Sequence, residues 1–384
     1  MKRSLLALLT VPLLGAAHAQ TPFKLILSAS EHTLQKGDVK VRAFTKSWTL
    51  PAAGVKASKA HGKVSSTLTP VLSRIERAVN ARTPRPAVFR NVGGSWVAAD
   101  RTGWVFDRDG TKANLLKAIR TGKGSAQVAY RRVVPARSVT LLAQRGVRWH
   151  VATGSSSYRG SPAFRVKNIL VGADKLDNFF IAPGHEFDFN REVGQIDAST
   201  GFVKGFVISG GTLSKEDGGG ICQVSTTIFR ALYTAGLPIV ERHEHSHRVH
   251  YYDPVGFEAT VYAPAKNLRM KNDTGASLFV QAAWDTRAQT LRFDVFGAKT
   301  GRSVNISTPV VTAFKPAAKA TYSPDPRVAA GRRRLLDTPM QGMTSVITRT
   351  IKVGGKVVSR DKLKSVYKPW GAVYGVKPGD KRLN

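Results

Sequence analysis

Apolar positions recur along the chain with two different periods. From Ser66 to Asn80, Leu68, Leu72, Ile75 and Val79 return at helical spacing. Thr69 as cap and Pro70 at the first helical position mark where that helix starts. Strand-like runs flank it: Val39 to Phe44 alternates apolar with basic residues, and Val128 to Val134 is apolar around Arg131 and Arg132. Asp107-Arg108-Asp109-Gly110 reads as a turn into a second helix, Ala113 to Ile119, which Gly122 ends. Together these predict a compact α+β unit over residues 23–150. Gly154-Ser155-Ser156-Ser157, followed by Arg159-Gly160-Ser161-Pro162, reads as a linker or a loop close to a site.

A third helix is predicted from Val224, Ile228, Leu232 and Ala235, with Gly236 and Pro238 as its stop. It opens on GGGICQVSTT, which puts Cys222 in its first turn. From residue 276 onward the chain is rich in Val, Thr, Phe and Tyr with Gly and Pro turns. There Gly354-Gly355 between two β-branched runs signals a hairpin. The expected fold is α+β: a helix bearing Cys222 at its N-terminus packs on an antiparallel sheet, with an α+β module before it and a β-rich tail after it. No fixed-period repeat, phosphate-binding loop, dinucleotide fingerprint or CxxC pair interrupts this reading.

The N-terminus has the pattern of an export signal. Lys2-Arg3 precedes the apolar run Leu5 to Leu14, and Ala17-His18-Ala19 is a small-residue cleavage site. A signal peptide over 1–19 is expected, and no later stretch approaches ~18 continuous apolar residues, so no transmembrane anchor is expected. The destination is the periplasm, cell wall or extracellular space.

Charge is divided unevenly. The chain carries +34, yet residues 161–275 hold twelve Lys and Arg against thirteen Asp and Glu, a net of −1 that leaves +35 on the flanks. The last 54 residues alone hold thirteen basic and three acidic side chains. Such flanks suit an extended polyanion, bound with affinity that falls as salt rises. Outside the cell this implies an anionic envelope polymer, a phosphate-bearing glycan or lipid headgroups, and no nucleic acid partner is expected. A plain solubilising excess of charge is the alternative.

Cys222 is the chain's one cysteine, so it has no intrachain disulfide partner. At a helix N-terminus the macrodipole favours the thiolate. Gly218, Gly219 and Gly220 let backbone approach a substrate closely, and their N–H groups suit an oxyanion hole. The competing reading is a small residue packed under a helix after a tight glycine turn. About twenty residues on, ERHEHSHRVHYYDP places histidines at 243, 245, 247 and 250. As a strand it would point the first three to one face, where one serves as general base and Glu258 or Asp253 orients it. His-x-His-x-His with one thiolate also fits a tetrahedral zinc ion, and a cluster of surface histidines fits neither role. A Cys at a helix start followed by a strand histidine has the layout of papain-like cell-wall hydrolases of the NlpC group.

Residues 165–275 resemble the VanW family. The likeness rests on RVKNILVGADKLDNFFIAPGHEFDFNREVG, GGGICQVSTTIFRALYTAGLPIVERHEHS and EATVYAPAKNLRMKN. It implies a VanW domain over 160–275. Its central motif falls on Gly218, Gly219, Gly220, Cys222, Gln223, Ser225 and Thr226, its second on Arg242, His243, His245 and Ser246, and its upstream positions on Pro183, Gly184, Phe187 and Asn190. The family more often has Asp where this chain has Glu258, and its pattern asks for no histidine at 247 or 250, which weakens the zinc reading. Residues 40–150, with GWVFDRDGTKANLLKAI, resemble the peptidoglycan-binding module that often precedes a VanW domain, and TRTIKVGGKVVSRDKLKSVYKP resembles a G5-type β segment.

The expected function is therefore that of an exported envelope protein acting on or binding peptidoglycan. In an acyl-transfer reaction, hydrolysis or transpeptidation, Cys222 is the nucleophile, His245 or His243 the base and Glu258 the orienter, with Gly219, Gly220 and Gln223 as oxyanion donors. Gly218, Ser225, Arg242, Ser246 and Asn190 shape the binding site. No metal and no cofactor are expected. The alternative is a wall-binding or assembly protein in which Cys222 is inert.

Overall fold

The computed structural model describes residues 22–209 and 212–383 and divides into two units. The expected signal peptide lies outside the described residues. Architecture is mixed α+β with antiparallel sheets and a β-rich C-terminal region. No helix among the described residues is long and apolar enough to cross a membrane.

The first unit comprises Val41–Ala87, Asp100–Ser138 and the described residues before 33. Its helices Ala52–His61, Thr69–Asn80 and Arg108–Arg120 share a core with Leu25 and Leu27, whose strand runs parallel to Ser125–Gln127. Leu72, Ile75 and Val79 are buried, as their period requires. Two helix starts differ from expectation. Ser65, not Thr69, caps the entry, because a 3-10 turn over Ser66–Leu68 precedes the α-helix. The apparent turn at 107–110 is a cap and first helical turn: the Asp107 carboxylate accepts from Gly110 N at 2.8 Å.

The second unit comprises Thr33–Lys40, Val88–Ala99 and everything described from Val139 onward. Its centre is an antiparallel sheet in the order Trp149–Ser157, Thr290–Gly297, Leu278–Asp285, Phe179–Ile181. Helix Ile221–Thr234 lies on this sheet and helix Ala163–Lys175 lies beside it. The supposed linker at 154–157 is the second half of strand Trp149–Ser157. Gly154 is needed there because a Cβ would sit 2.3 Å from Ala231 N and Thr227 O of the crossing helix. A break after residue 275 also falls within this sheet, since 278–285 and 290–297 supply two of its strands.

Helix Ile221–Thr234 is buried on every face from Gln223 to Tyr233. Its apolar stripe of Val224, Ile228 and Leu232 joins the core, while its polar face is buried with every group bonded. Thr227 Oγ1 meets Ser156 Oγ at 2.6 Å, and the Arg230 guanidinium donates to the carbonyls of Ser155, Tyr252 and Phe257. A polar face of this kind costs several kcal/mol unless satisfied, so it fixes the helix in one orientation.

In the C-terminal region Gly342–Val353 and Lys356–Tyr367 form the hairpin expected at Gly354-Gly355, which take φ of +56° and +82°. Arg349 anchors it: the guanidinium pairs with Asp361 at 2.7 Å and donates to the carbonyls of Tyr233 and Leu237 at the end of the central helix.

Candidate functional site

Three glycines turn the chain into the central helix. Gly218 and Gly220 have φ of +81° and +113°, where a side chain is strained. A Cβ on Gly218 would also lie 2.3 Å from Ile196, and one on Gly220 2.9 Å from Arg165 Cγ. Their freedom therefore serves close packing of the protein on itself. Ile221 N and Gln223 N donate back to the carbonyls of Gly218 and Gly220, both at 2.9 Å. Between them the N–H of Cys222 has no acceptor among the described residues.

Cys222 is half-buried, with Sγ 3.4 Å from Thr260 Oγ1 and 3.5 Å from Val261 O. His245 lines the same groove and lies near enough for its charge to act on the thiol. Its Nδ1 is 2.7 Å from Glu258 Oε2, which leaves Nε2 as the ring nitrogen for sulfur. Glu258 is buried at 2% exposure, and its other oxygen accepts from the Tyr367 hydroxyl. The His245 ring stacks on Tyr252 with centroids 4.6 Å apart. A hydrogen-bonded chain thus runs from His245 through Glu258 to Tyr367, with Cys222 lining the groove beside His245.

The electrostatics favour an ion pair. Burial disfavours the charged imidazole, but the Glu258 carboxylate and the bond to Cys222 outweigh it, and His245 is pushed up to about 9. Burial likewise raises the Cys222 thiol, yet the bond to His245 and its charge, with Thr260 and Val261, hold it below its ordinary value. Burial raises Glu258 too, and His245, Tyr367 and Arg242 together hold it down. All three shifts run toward a carboxylate–imidazolium–thiolate set, an arrangement able to attack an acyl carbon and protonate a leaving amine.

Segment 242–249 is not the expected strand. His243 makes one isolated bridge to Thr260, and beyond it the segment is irregular, fixed by long-range bonds such as Lys368 N to Ser246 O. The histidines therefore diverge. His243 turns its Nε2 to Glu241 at 3.0 Å, and His247 packs on Trp370. Asp253, the other candidate orienter, pairs with Arg248 at 2.9 Å.

Of the remaining expected residues, several are structural. Gln223 is fully buried, donating to Ser156 Oγ and Ser157 O and accepting from Arg165, so its amide is not an oxyanion donor. Ser225 donates to Ala259 O at 2.6 Å. Arg242 donates to the carbonyls of Glu258 and Gly256 and to Ser365 Oγ, locking the carboxylate's own segment. The carbonyl of Gly219 accepts from Asn168 at 3.0 Å. Asn190 bonds Lys266 O and Ser246 bonds His247, and both line the groove onto which Cys222 opens. That groove has a volume of about 2030 Å³, with walls from the 245–252 loop, Thr260–Lys266 and the C-terminal residues around Leu335 and Trp370.

Sequence reasoning missed Tyr367, Tyr252 and Thr260. Tyr252 and Thr260 lie close to the histidine motif and were within reach of it. Tyr367 is 109 residues from Glu258 and carries no local signal.

Fold and site together define an α+β domain that presents a Cys-His-carboxylate set at the start of a buried helix. Residues 164–296 match the family model described as VanW like protein, and this segment is a VanW domain. The protein named Uncharacterized protein YoaR from Bacillus subtilis (strain 168) is 37% identical over 125 residues, 33% of this chain and 41% of that protein. The Vancomycin B-type resistance protein VanW of Enterococcus faecalis (strain ATCC 700802 / V583) is 29% identical over 126 residues, 32% of this chain and 46% of that one. The chain thus spans less than half the length of either relative. Two solved G5 domains are also similar to part of the chain: that of HP0197 (19% identity, 19% of this chain and 95% of that one, TM-score 0.11) and that of an IgA1 protease (20% identity, 20% and 93%, TM-score 0.12).

Proposed function

We propose that this protein is an exported cell-envelope enzyme that uses Cys222 in acyl transfer on an amide of the wall. The observation that carries this reading is Cys222 and His245 lining one open groove, with the buried Glu258 bonded to the imidazole behind. Likeness to a protein named for vancomycin resistance supports a setting in the cell wall, and the basic flanks suit peptidoglycan or another anionic envelope polymer.

The Cys222 thiolate attacks the amide carbonyl, and the free N–H of Cys222 stabilises the oxyanion. His245 gives its proton to the departing amine as the C–N bond breaks, leaving a thioester on sulfur. His245, now neutral, takes a proton from water or from an acceptor amine, which attacks the thioester and releases Cys222. Glu258 holds the imidazole in the tautomer this sequence needs.

Purified peptidoglycan incubated with mature protein tests the reading. Muropeptide mass spectrometry should show cleaved or newly joined stem peptides that Cys222→Ser does not produce, with an acyl adduct on Cys222 at early times. A muropeptide pattern identical to that of Cys222→Ser would leave a wall-binding protein with an inert thiol.

A further inference from the structure

Arg165 is a buried cation beside this site with no anion to balance it. It is 9% exposed and lines the groove with Cys222 and His245. Two of its nitrogens bond neutral oxygens, Ser161 Oγ at 2.6 Å and Gln223 Oε1 at 2.7 Å, and its guanidinium lies over the Tyr251 ring at 4.1 Å. No carboxylate among the described residues comes within ion-pair distance. The other deeply buried arginines are answered more fully: Arg349 has Asp361 at 2.7 Å, and Arg230 donates to the carbonyls of Phe257, Ser155, Tyr252 and Asp253. Taking a charge out of water without a counter-ion is costly, and the neutral bonds position the guanidinium without offsetting that cost. Arg248, which also lines the groove, is by contrast answered by Asp253 at 2.9 Å.

We propose that Arg165 is a carboxylate-binding subsite, and that the groove takes a peptide with a free carboxylate close to the amide presented to Cys222. A planar guanidinium held by Gln223 and Ser161 is pre-set for bidentate recognition of a carboxylate. Resting on the acyl-transfer reading, this deepens it: the substrate is a peptide end or a side branch bearing a free acid, and the amidated form is disfavoured.

The test uses two probes, N-acetylalanine and N-acetylalaninamide, which differ in the carboxylate. Each is titrated into full-length mature protein while the arginine Nε resonances are followed by NMR, a readout that does not involve the thiol. The acid should shift the Arg165 signal and bind roughly tenfold or more tightly than the amide, the discrimination expected of a charge-assisted pair. Added salt should weaken it, and Arg165→Gln should abolish the preference. Equal binding of acid and amide, or a response that leaves Arg165 unmoved, overturns the proposal, and the wild-type titration decides this even if the variant does not fold. Acid-selective binding with an inert Cys222 would sink the acyl-transfer reading alone. A reactive Cys222 without discrimination would sink the subsite alone.

Discussion

Replacing Glu258 by Gln removes one charge from the middle of the contact chain at nearly constant shape. In the wild type His245 is raised from 6.5 to about 9, with the Glu258 carboxylate as the largest upward influence against burial. That rise corresponds to roughly 3 kcal/mol of preference for the imidazolium. A neutral amide at 258 leaves burial opposed only by the thiol, so His245 should fall toward 6.5. At pH 8 its charged fraction should then drop from about nine-tenths to a few per cent. Ring ¹⁵N shifts of histidine-labelled protein measure this directly, with His245→Ala assigning the signal. The same loss should appear in stability: the His245 contribution is present below about 6.5 and is lost as pH rises through about 9, so Glu258→Gln should flatten wild-type weakening over that window. An imidazole still charged above pH 8 in the variant would refute the argument that Glu258 holds it.

Tyr367→Phe removes a hydroxyl from a carboxylate that is 2% exposed, which should lower the urea midpoint at pH 7 by an amount equivalent to about 1–3 kcal/mol. Because Glu258 is held below its ordinary value, its contribution is present above about 4.5 and lost as pH falls through the folded value. The variant should therefore unfold in acid at a higher pH than the wild type. Gly218→Ala and Gly184→Ala form a matched pair, with φ of +81° and +76° but a 2.3 Å clash with Ile196 only at 218. Thermal unfolding should show a penalty of about 1 kcal/mol at 184 and about 1–3 kcal/mol more at 218.

What the sequence made legible was local. The glycine turn, the i, i+4 spacing of Val224, Ile228 and Leu232 and the Gly236 stop were enough to place Cys222 in the first turn of a helix. The Gly354-Gly355 hairpin was equally local. What failed depended on contacts across the chain. Gly154-Ser155-Ser156-Ser157 has the composition of a linker, but Ser156 bonds Thr227 and Gly154 admits the helix, so the stretch is core. Three of the four histidines, at 243, 245 and 247, alternate and suggested one face of a strand. Arg242 and Lys368 instead pin that segment to the C-terminal hairpin, and His245 alone of the four reaches Glu258. Gln223 sits next to Cys222 in a motif that reads as chemical, yet its amide is spent holding Arg165 and the strand beneath.

The alkylation of Cys222 by iodoacetamide between pH 5 and 10 tests the central claim most directly. Every adduct comes from this thiol, as the chain has one cysteine. A thiolate paired with His245 predicts rapid alkylation from well below ~8.5, the reference for a free thiol, a plateau to about 9, and loss of that plateau in His245→Ala but not in His243→Ala. A thiol that stays unreactive until the protein unfolds, or that titrates like a free one in the wild type, would contradict the account.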